Sequence, residues 1–297
     1  MRKFLRSMAL LTTVTVLFTA TACNGNGDAK TTTVPETTVA ADTTTAADVT
    51  DATDTGDEAD VTEASENTES EDIGTKDPTK LVMGTNAQFP PFEYTEGSTI
   101  TGIDADLMAA IADELGVELV IEDMEFNSLP AALANGQIDI IAAGFTVNPD
   151  REETMDFTST YYEARQTLIV LSDSGYTSID DLTDKVIGGQ DATTGLLYCA
   201  TEYTADANIK AFANGMLAVE ALLNGSVDGV IIDNNPAKVY GEKYAGQITL
   251  IEDQFDPEDY AMAVKKGNTV LQTRVNEALA AIIADGRFDE ICSNHLA

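Results

Sequence analysis

Two charged residues stand where apolar runs end. Arg151 closes GFTVNPDR, Gly144 to Arg151, directly after IDIIAAG. A guanidinium meets a carboxylate through two parallel, charge-assisted hydrogen bonds, which the point charge of lysine cannot reproduce, so Arg151 reads as an anion clamp. Asp233 closes the run VIID and is followed by Asn234, Asn235 and Pro236. An acid in that place needs a partner, and taken alone it is equally well an ordinary cap for a helix beginning at Pro236. Taken with Arg151, it makes a site with one cationic and one anionic pole. That is what a zwitterion, an α-amino acid, requires.

Further groups are placed to converge on those poles. GTNAQFPPFEY follows the first strand, and its two prolines stiffen a loop bracketed by Phe89 and Phe92. Phe126 follows the second strand. Each ring has two readings, core packing or a cleft wall; two aromatic plates around a small ligand would supply apolar contact at low entropic cost. GGQDATTGLLY, Gly188 to Tyr198, puts Thr193 and Thr194 where a helix starts. Free N–H groups and the helix dipole favour an anion there, and plain N-capping remains the alternative.

The elements that carry these residues alternate. LVMGT reads as a buried strand. ADLMAAIADELG reads as a helix with Leu107, Ile111 and Leu115 on one stripe, Asp104 as N-cap and Gly116 as stop. VELVIED is a second strand, SLPAALANG a short helix and IDIIAAG a third strand. This βαβαβ order implies a mostly parallel, helix-covered sheet. The scheme repeats: ALANGQIDIIAAG (Ala132 to Gly144) matches ALLNGSVDGVIID (Ala221 to Asp233), and KLVMGTN matches KVIGGQ more weakly. Two similar α/β lobes follow, with Gly144 and Asp233 at matching strand ends, where open α/β sheets place ligands. YYEARQTLIVL and YAMAVKK read as the two extended crossovers of a hinge, leaving the first lobe near Ala164 and returning near Tyr260.

Composition bounds the remainder. The net charge of -35 over 297 residues argues against a nucleic-acid partner, whose phosphates demand Lys and Arg. One histidine, His295, and scattered cysteines give no metal-ligand spacing, and no cofactor motif is present. The N-terminus has basic Arg2, Lys3 and Arg6, an apolar run too short to span a membrane, and small residues before Cys23. That is a signal peptide over 1–22, with Cys23 as the expected lipidated residue or, failing lipidation, a free thiol after ordinary secretion. Residues 23–76 are acidic and Thr-rich with no aromatic side chain, a composition that stays disordered. Cys199 and Cys292 remain as an even pair in an oxidising compartment, bridged or free on the sequence alone.

From about residue 77 to the C-terminus, GTNAQFPPFEY, GIDADL, GFTVNPDRE with DFTSTYY, QDATTG and NGSVDGVIID together resemble the family 3 extracellular solute-binding proteins of amino-acid ABC transporters. The resemblance implies a two-lobe clamshell of the type II periplasmic-binding-protein fold, with a two-strand hinge. Lobe 1 would span 77–165, lobe 2 166–258, and 259–297 would hold the return strand and the helices completing lobe 1. It also implies roles. Arg151 would bind the ligand α-carboxylate, helped by Thr146 and the main chain at Thr194. Asp233 and Gly144 would hold the α-ammonium, Phe89 would stack on the ligand and Phe126 would form another wall, with Asn86, Gln190 and Thr193 completing the set. The chain departs from the pattern at Asn86, where several relatives carry Asp, and at Ala192, where glycine is usual. The first departure weakens the case for a cationic ligand, and the second puts the loop's shape in question.

The expected partners are therefore a free amino acid, a membrane permease and, through Cys23, the lipid surface, for a monomeric protein anchored outside the cytoplasm. Two rivals share the fold: a dehydratase working through carboxylates, since His295 near the end reads as a surface residue, and a ligand sensor without transport.

Overall fold

A computed structural model of the chain describes residues 72–296. The expected signal peptide, Cys23 and the linker up to residue 71 lie outside them. The ordered body starts earlier than the expected boundary at residue 77. Ile73 is buried, and Asn268 donates from Nδ2 to the Gly74 carbonyl at 2.8 Å.

The first lobe opens with β1 (Lys80–Thr85), then a small hairpin sheet of β2 (Gln88–Phe89), β3 (Glu93–Glu96) and β4 (Thr99–Thr101). Helix α1 (Ile103–Leu115) buries Leu107 and Ile111 of its expected apolar stripe, with Met108 beside them, while Leu115 at its end is half-buried. Gly116 terminates it in the left-handed region at φ 68°. The cap at the other end differs from expectation. Gly102 is the N-cap, and Asp104 lies within the first turn, buried. Strand β5 (Glu118–Asp123), helix α2 (Leu129–Ala134), strand β6 (Ile140–Ile141), the turn α3 (Pro149–Glu152) and strand β7 (Met155–Phe157) follow.

The chain then crosses on the long strand β8 (Tyr162–Leu171) into the second lobe. There come β9 (Ile187–Gln190), a π-helical turn over Gly195–Cys199 running into α4 (Ala200–Tyr203), β10 (Ile209–Phe212), α5 (Gly215–Leu223), β11 (Gly229–Asp233), α6 (Asn234–Lys243) and β12 (Ile248–Ile251). It returns on β13 (Pro257–Tyr260) to β14 (Ala263–Lys265), α7 (Thr269–Ala284) and α8 (Arg287–His295). Helix α7 buries Leu271, Val275, Leu279 and Ile282, and it packs on α1. Each such complete burial contributes about 1.5–3 kcal/mol relative to exposure.

Each lobe has a sheet with a three-strand parallel core, β5-β1-β6 and β10-β9-β11. The outer strands are antiparallel: β14 to β6 and β7 in the first lobe, β8 to β11 and β12 in the second. The sheets are thus mixed where the βαβαβ pattern predicts a mostly parallel one, because each takes in strands that cross or return between lobes. Strand β8 serves both sides of the crossing. Its first residues pair with β13, Arg165 opposite Pro257 and Tyr162 opposite Tyr260, and its later residues pair with β11 and β12. The internal repeat recurs in side-chain detail. Asp139 Oδ2 accepts from Val82 N at 3.0 Å, and its counterpart Asp228 Oδ2 accepts from Val186 N at 2.9 Å.

The cysteine pair is not bridged. Cys199 and Cys292 are both free thiols. Cys199 packs against the second-lobe core around Leu168, Ile187 and Ile231, whereas Cys292 is carried by α8, which packs on α1 and α7. Burial pushes their thiols up to about 12 and about 11, so both stay protonated.

Candidate functional site

All ten residues singled out for ligand contact line one cleft: Asn86, Phe89, Phe126, Gly144, Thr146, Arg151, Gln190, Thr193, Thr194 and Asp233. Glu93 and Ala143 line it too. The cleft encloses about 320 Å³ of space between its lining atoms, counting solvent at its mouth.

The local fold explains how Arg151 is delivered. Asn148 is the N-cap of α3 and its Oδ1 accepts from Arg151 N at 2.9 Å, with Pro149 in the first turn. The guanidinium lies over the Phe145 ring at 3.9 Å and nearer the edge of range from Phe126 at 5.6 Å. Its Nη1 donates to the Thr146 carbonyl at 2.7 Å, and its Nη2 to the Ala192 carbonyl across the cleft at 3.1 Å. Two of five N–H groups are thereby used, which leaves donors for an anion. Burial lowers its pKa to about 10, so it remains a cation at neutral pH.

The opposite pole is built differently from a helix cap. Asp233 occupies the N-cap position of α6 without making a side-chain cap bond. Its Oδ1 instead accepts from the Tyr260 hydroxyl at 2.5 Å. Burial, and then the nearby Glu258 carboxylate, push Asp233 up to about 7. Thr194 likewise stands at an N-cap position without capping; its hydroxyl donates to Glu258 Oε2 at 2.7 Å. Thr193 Oγ1 donates to the Gln190 carbonyl at 2.7 Å.

Gly144 needs to be glycine. Its φ is 52°, and an added Cβ would lie 2.8 Å from Cε1 of Phe89. Its N–H donates to Asp104 Oδ2 at 2.7 Å, while Tyr161 donates its hydroxyl to Asp104 Oδ1 at 2.7 Å. Phe89 faces the cleft, and Phe92 is fully buried against it at 5.9 Å between ring centroids, which resolves the two readings of that loop. Ala192 takes the left-handed conformation at φ 62°, the physical reason glycine suits that position.

Glu93 is the residue the sequence reading missed. It is 1% exposed, lines the cleft, and its Oε2 has no hydrogen-bond partner. Burial first, and the Asp104 carboxylate second, hold it well above the usual carboxylate range. Asp104 itself is raised by burial to about 6. The sequence signal was an acid between two aromatic residues, Phe92 and Tyr94. Nothing local distinguished it from a solvated charge. His295, expected on the surface, is half-buried there on α8. Its side chain is 9% exposed, with Nε2 at 2.7 Å from Asp106 Oδ2, and it does not line the cleft.

The lobes meet around this site. Gln190 Nε2 donates to Asn86 Oδ1 at 2.8 Å, Asn127 Nδ2 to Asp191 Oδ2 at 2.8 Å, Asn214 Nδ2 to Gln88 Oε1 at 2.6 Å, and the Tyr198 hydroxyl to Asp150.

Residues 81–297 match the model of the bacterial extracellular solute-binding proteins, family 3. The probable histidine-binding protein of Neisseria gonorrhoeae is 31% identical over 228 residues, covering 72% of this chain and 82% of that protein. The arginine-binding extracellular protein ArtP of Bacillus subtilis (strain 168) is 43% identical over 111 residues, 37% of this chain, and that match spans 44% of ArtP's length. Among solved structures, the arginine-, lysine-, histidine-binding protein ArtJ from Geobacillus stearothermophilus superposes with a TM-score of 0.70. It is 34% identical, over 73% of this chain and 94% of that one.

Proposed function

The chain belongs to the bacterial extracellular solute-binding proteins of family 3, and from that premise we propose that it captures a free α-amino acid with a cationic side chain and delivers it to an ABC transporter permease. Arg151 takes the α-carboxylate and Asp233 the α-ammonium, with Phe89 and Phe126 as apolar walls. Cys23 tethers the mature protein to the membrane through a lipid, outside the cytoplasm, and the protein acts as a monomer.

The observation that carries the ligand class is Glu93. A buried acid with an unpartnered oxygen facing a cleft leaves acceptor capacity that a guanidinium or ammonium satisfies. The names of the three relatives, for arginine, lysine and histidine, point the same way. Asn86 therefore does not count against a cation, because the acid comes from the hairpin instead.

Titration calorimetry of the mature chain with arginine, lysine, histidine and glutamine tests this. Arg151→Ala is expected to weaken binding at least about tenfold, since losing one partner of a buried charge pair costs about 2–5 kcal/mol. Glu93→Gln should weaken arginine far more than glutamine. Failure of the wild type to bind any of the four refutes the reading; an unchanged arginine-to-glutamine preference in Glu93→Gln refutes the ligand class.

A further inference from the structure

Glu258 sits on the returning strand β13, opposite Ala164 of β8, and does not line the cleft. It stands behind it. One oxygen, Oε2, accepts the Thr194 hydroxyl at 2.7 Å and the Thr146 hydroxyl at 3.0 Å. The same oxygen lies 3.4 Å from Gln166 Nε2, which is also 3.4 Å from Thr194 Oγ1. Thr146 belongs to the first lobe and Thr194 to the second, and both side chains line the cleft, each 5% exposed.

A hydroxyl has one proton and two lone pairs. Once that proton is committed to Glu258, the oxygen can offer the cleft nothing but lone pairs. A carboxylate is an acceptor without donors, so it cannot use such an oxygen; an ammonium, with three N–H groups, can. We propose that Glu258 is a positioning residue that fixes the polarity of the Thr146 and Thr194 hydroxyls, making them acceptors for the ligand α-ammonium and unavailable to its α-carboxylate. This rests on the reading of the cleft as an amino-acid site and deepens it. It also revises the part given to Thr146: its hydroxyl works with Asp233 and leaves the carboxylate to Arg151 and main-chain groups. Strand β13 thereby governs the anionic pole twice, through Glu258 on the threonines and through Tyr260 on Asp233.

The test is calorimetry with arginine, with 5-guanidinopentanoate, which lacks the α-ammonium, and with argininamide, which lacks the carboxylate. In Glu258→Ala the threonine hydroxyls lose the oxygen that accepts both of them, and their protons are free to turn toward the cleft. The preference for arginine over 5-guanidinopentanoate is expected to fall by about tenfold or more, as losing hydrogen bonds to a charged group does. The preference for arginine over argininamide should not fall. Thr194→Val, which removes one oxygen and leaves Glu258, provides a second variant with the same expected loss. A uniform weakening of all three ligands, with both preferences kept, overturns the proposal and leaves Glu258 a merely structural role. If the wild type binds none of the four amino acids tested above, the cleft reading fails and this inference with it, an outcome distinct from binding with unchanged ratios.

Discussion

Asp233 is where the chemistry of single residues is most open to measurement. Its folded pKa of about 7 lies above the ordinary value of 3.8 because burial and Glu258 disfavour the charged form. In the empty protein this group contributes stability that is complete below pH 3.8 and is lost as pH rises through about 7. Ligand binding has the opposite sign, since an α-ammonium needs the ionised carboxylate. Arginine affinity should therefore rise from pH 5.5 to pH 8 by about tenfold or more, with a proton released. Burial and the Asp104 carboxylate push Glu93 in the same upward direction as Asp233. Calorimetry in buffers of different ionisation enthalpy reads the released proton; a flat affinity and no release would contradict the assignment. At this scale Arg151, Asp233 and Phe89 were legible because each has a local signature, a charged or aromatic residue just past a strand. Glu93, Asp104, Glu258 and Tyr260 were not, because what gives them a role is burial beside groups distant in the chain.

Elements add strain and position. The loop after β9 holds Ala192 at φ 62° so that its carbonyl reaches Arg151. An alanine there costs about 1–2 kcal/mol, against the extra unfolded-state entropy of a glycine, about 0.5–1 kcal/mol. Ala192→Gly is thus expected to stabilise the protein by about 0.5 kcal/mol, read as a higher Tm in scanning calorimetry with arginine binding retained; a lower Tm would show that the methyl contributes more by packing. At helix ends the expected N-cap at Asp104 fails, and capping, one of two readings for Thr194 and for Asp233, fails as well. Asp104, Thr194 and Asp233 are all good capping types near helix starts, and none caps by its side chain. Each instead serves a partner contributed by another element, respectively Gly144 with Tyr161, Glu258, and Tyr260. Capping propensity is a local preference, and a buried tertiary hydrogen bond outweighs it.

For the molecule as a whole, the ligand is proposed to drive closure of the two lobes through contacts made only when they meet. The hydrogen bonds from Asn127 to Asp191 and from Tyr198 to Asp150 join the lobes outside the ligand poles. Neither donor lines the cleft. The double variant Asn127→Ala, Tyr198→Phe should lower arginine affinity by about 5- to 160-fold, given about 0.5–1.5 kcal/mol for each of the two bonds. The loss is expected chiefly as faster dissociation in stopped-flow measurements. An unchanged dissociation rate would mean that these bonds form equally well without the ligand.

The sequence alone determined the lobes, because an internal repeat and two periodicities, 3.6 and 2, are properties of the chain before it folds. It also pointed Arg151 and Asp233 to one cleft, for the same reason: strand ends deliver side chains to a predictable edge. Tertiary structure decided the rest. It set the free state of Cys199 and Cys292 by carrying them on separately packed helical segments. It placed Glu93 in the cleft by folding a hairpin over it, and it stationed Glu258 behind two threonines from opposite lobes. Burial, proton direction and cross-lobe distance are relations between residues far apart in sequence, and they exist only once both lobes have packed.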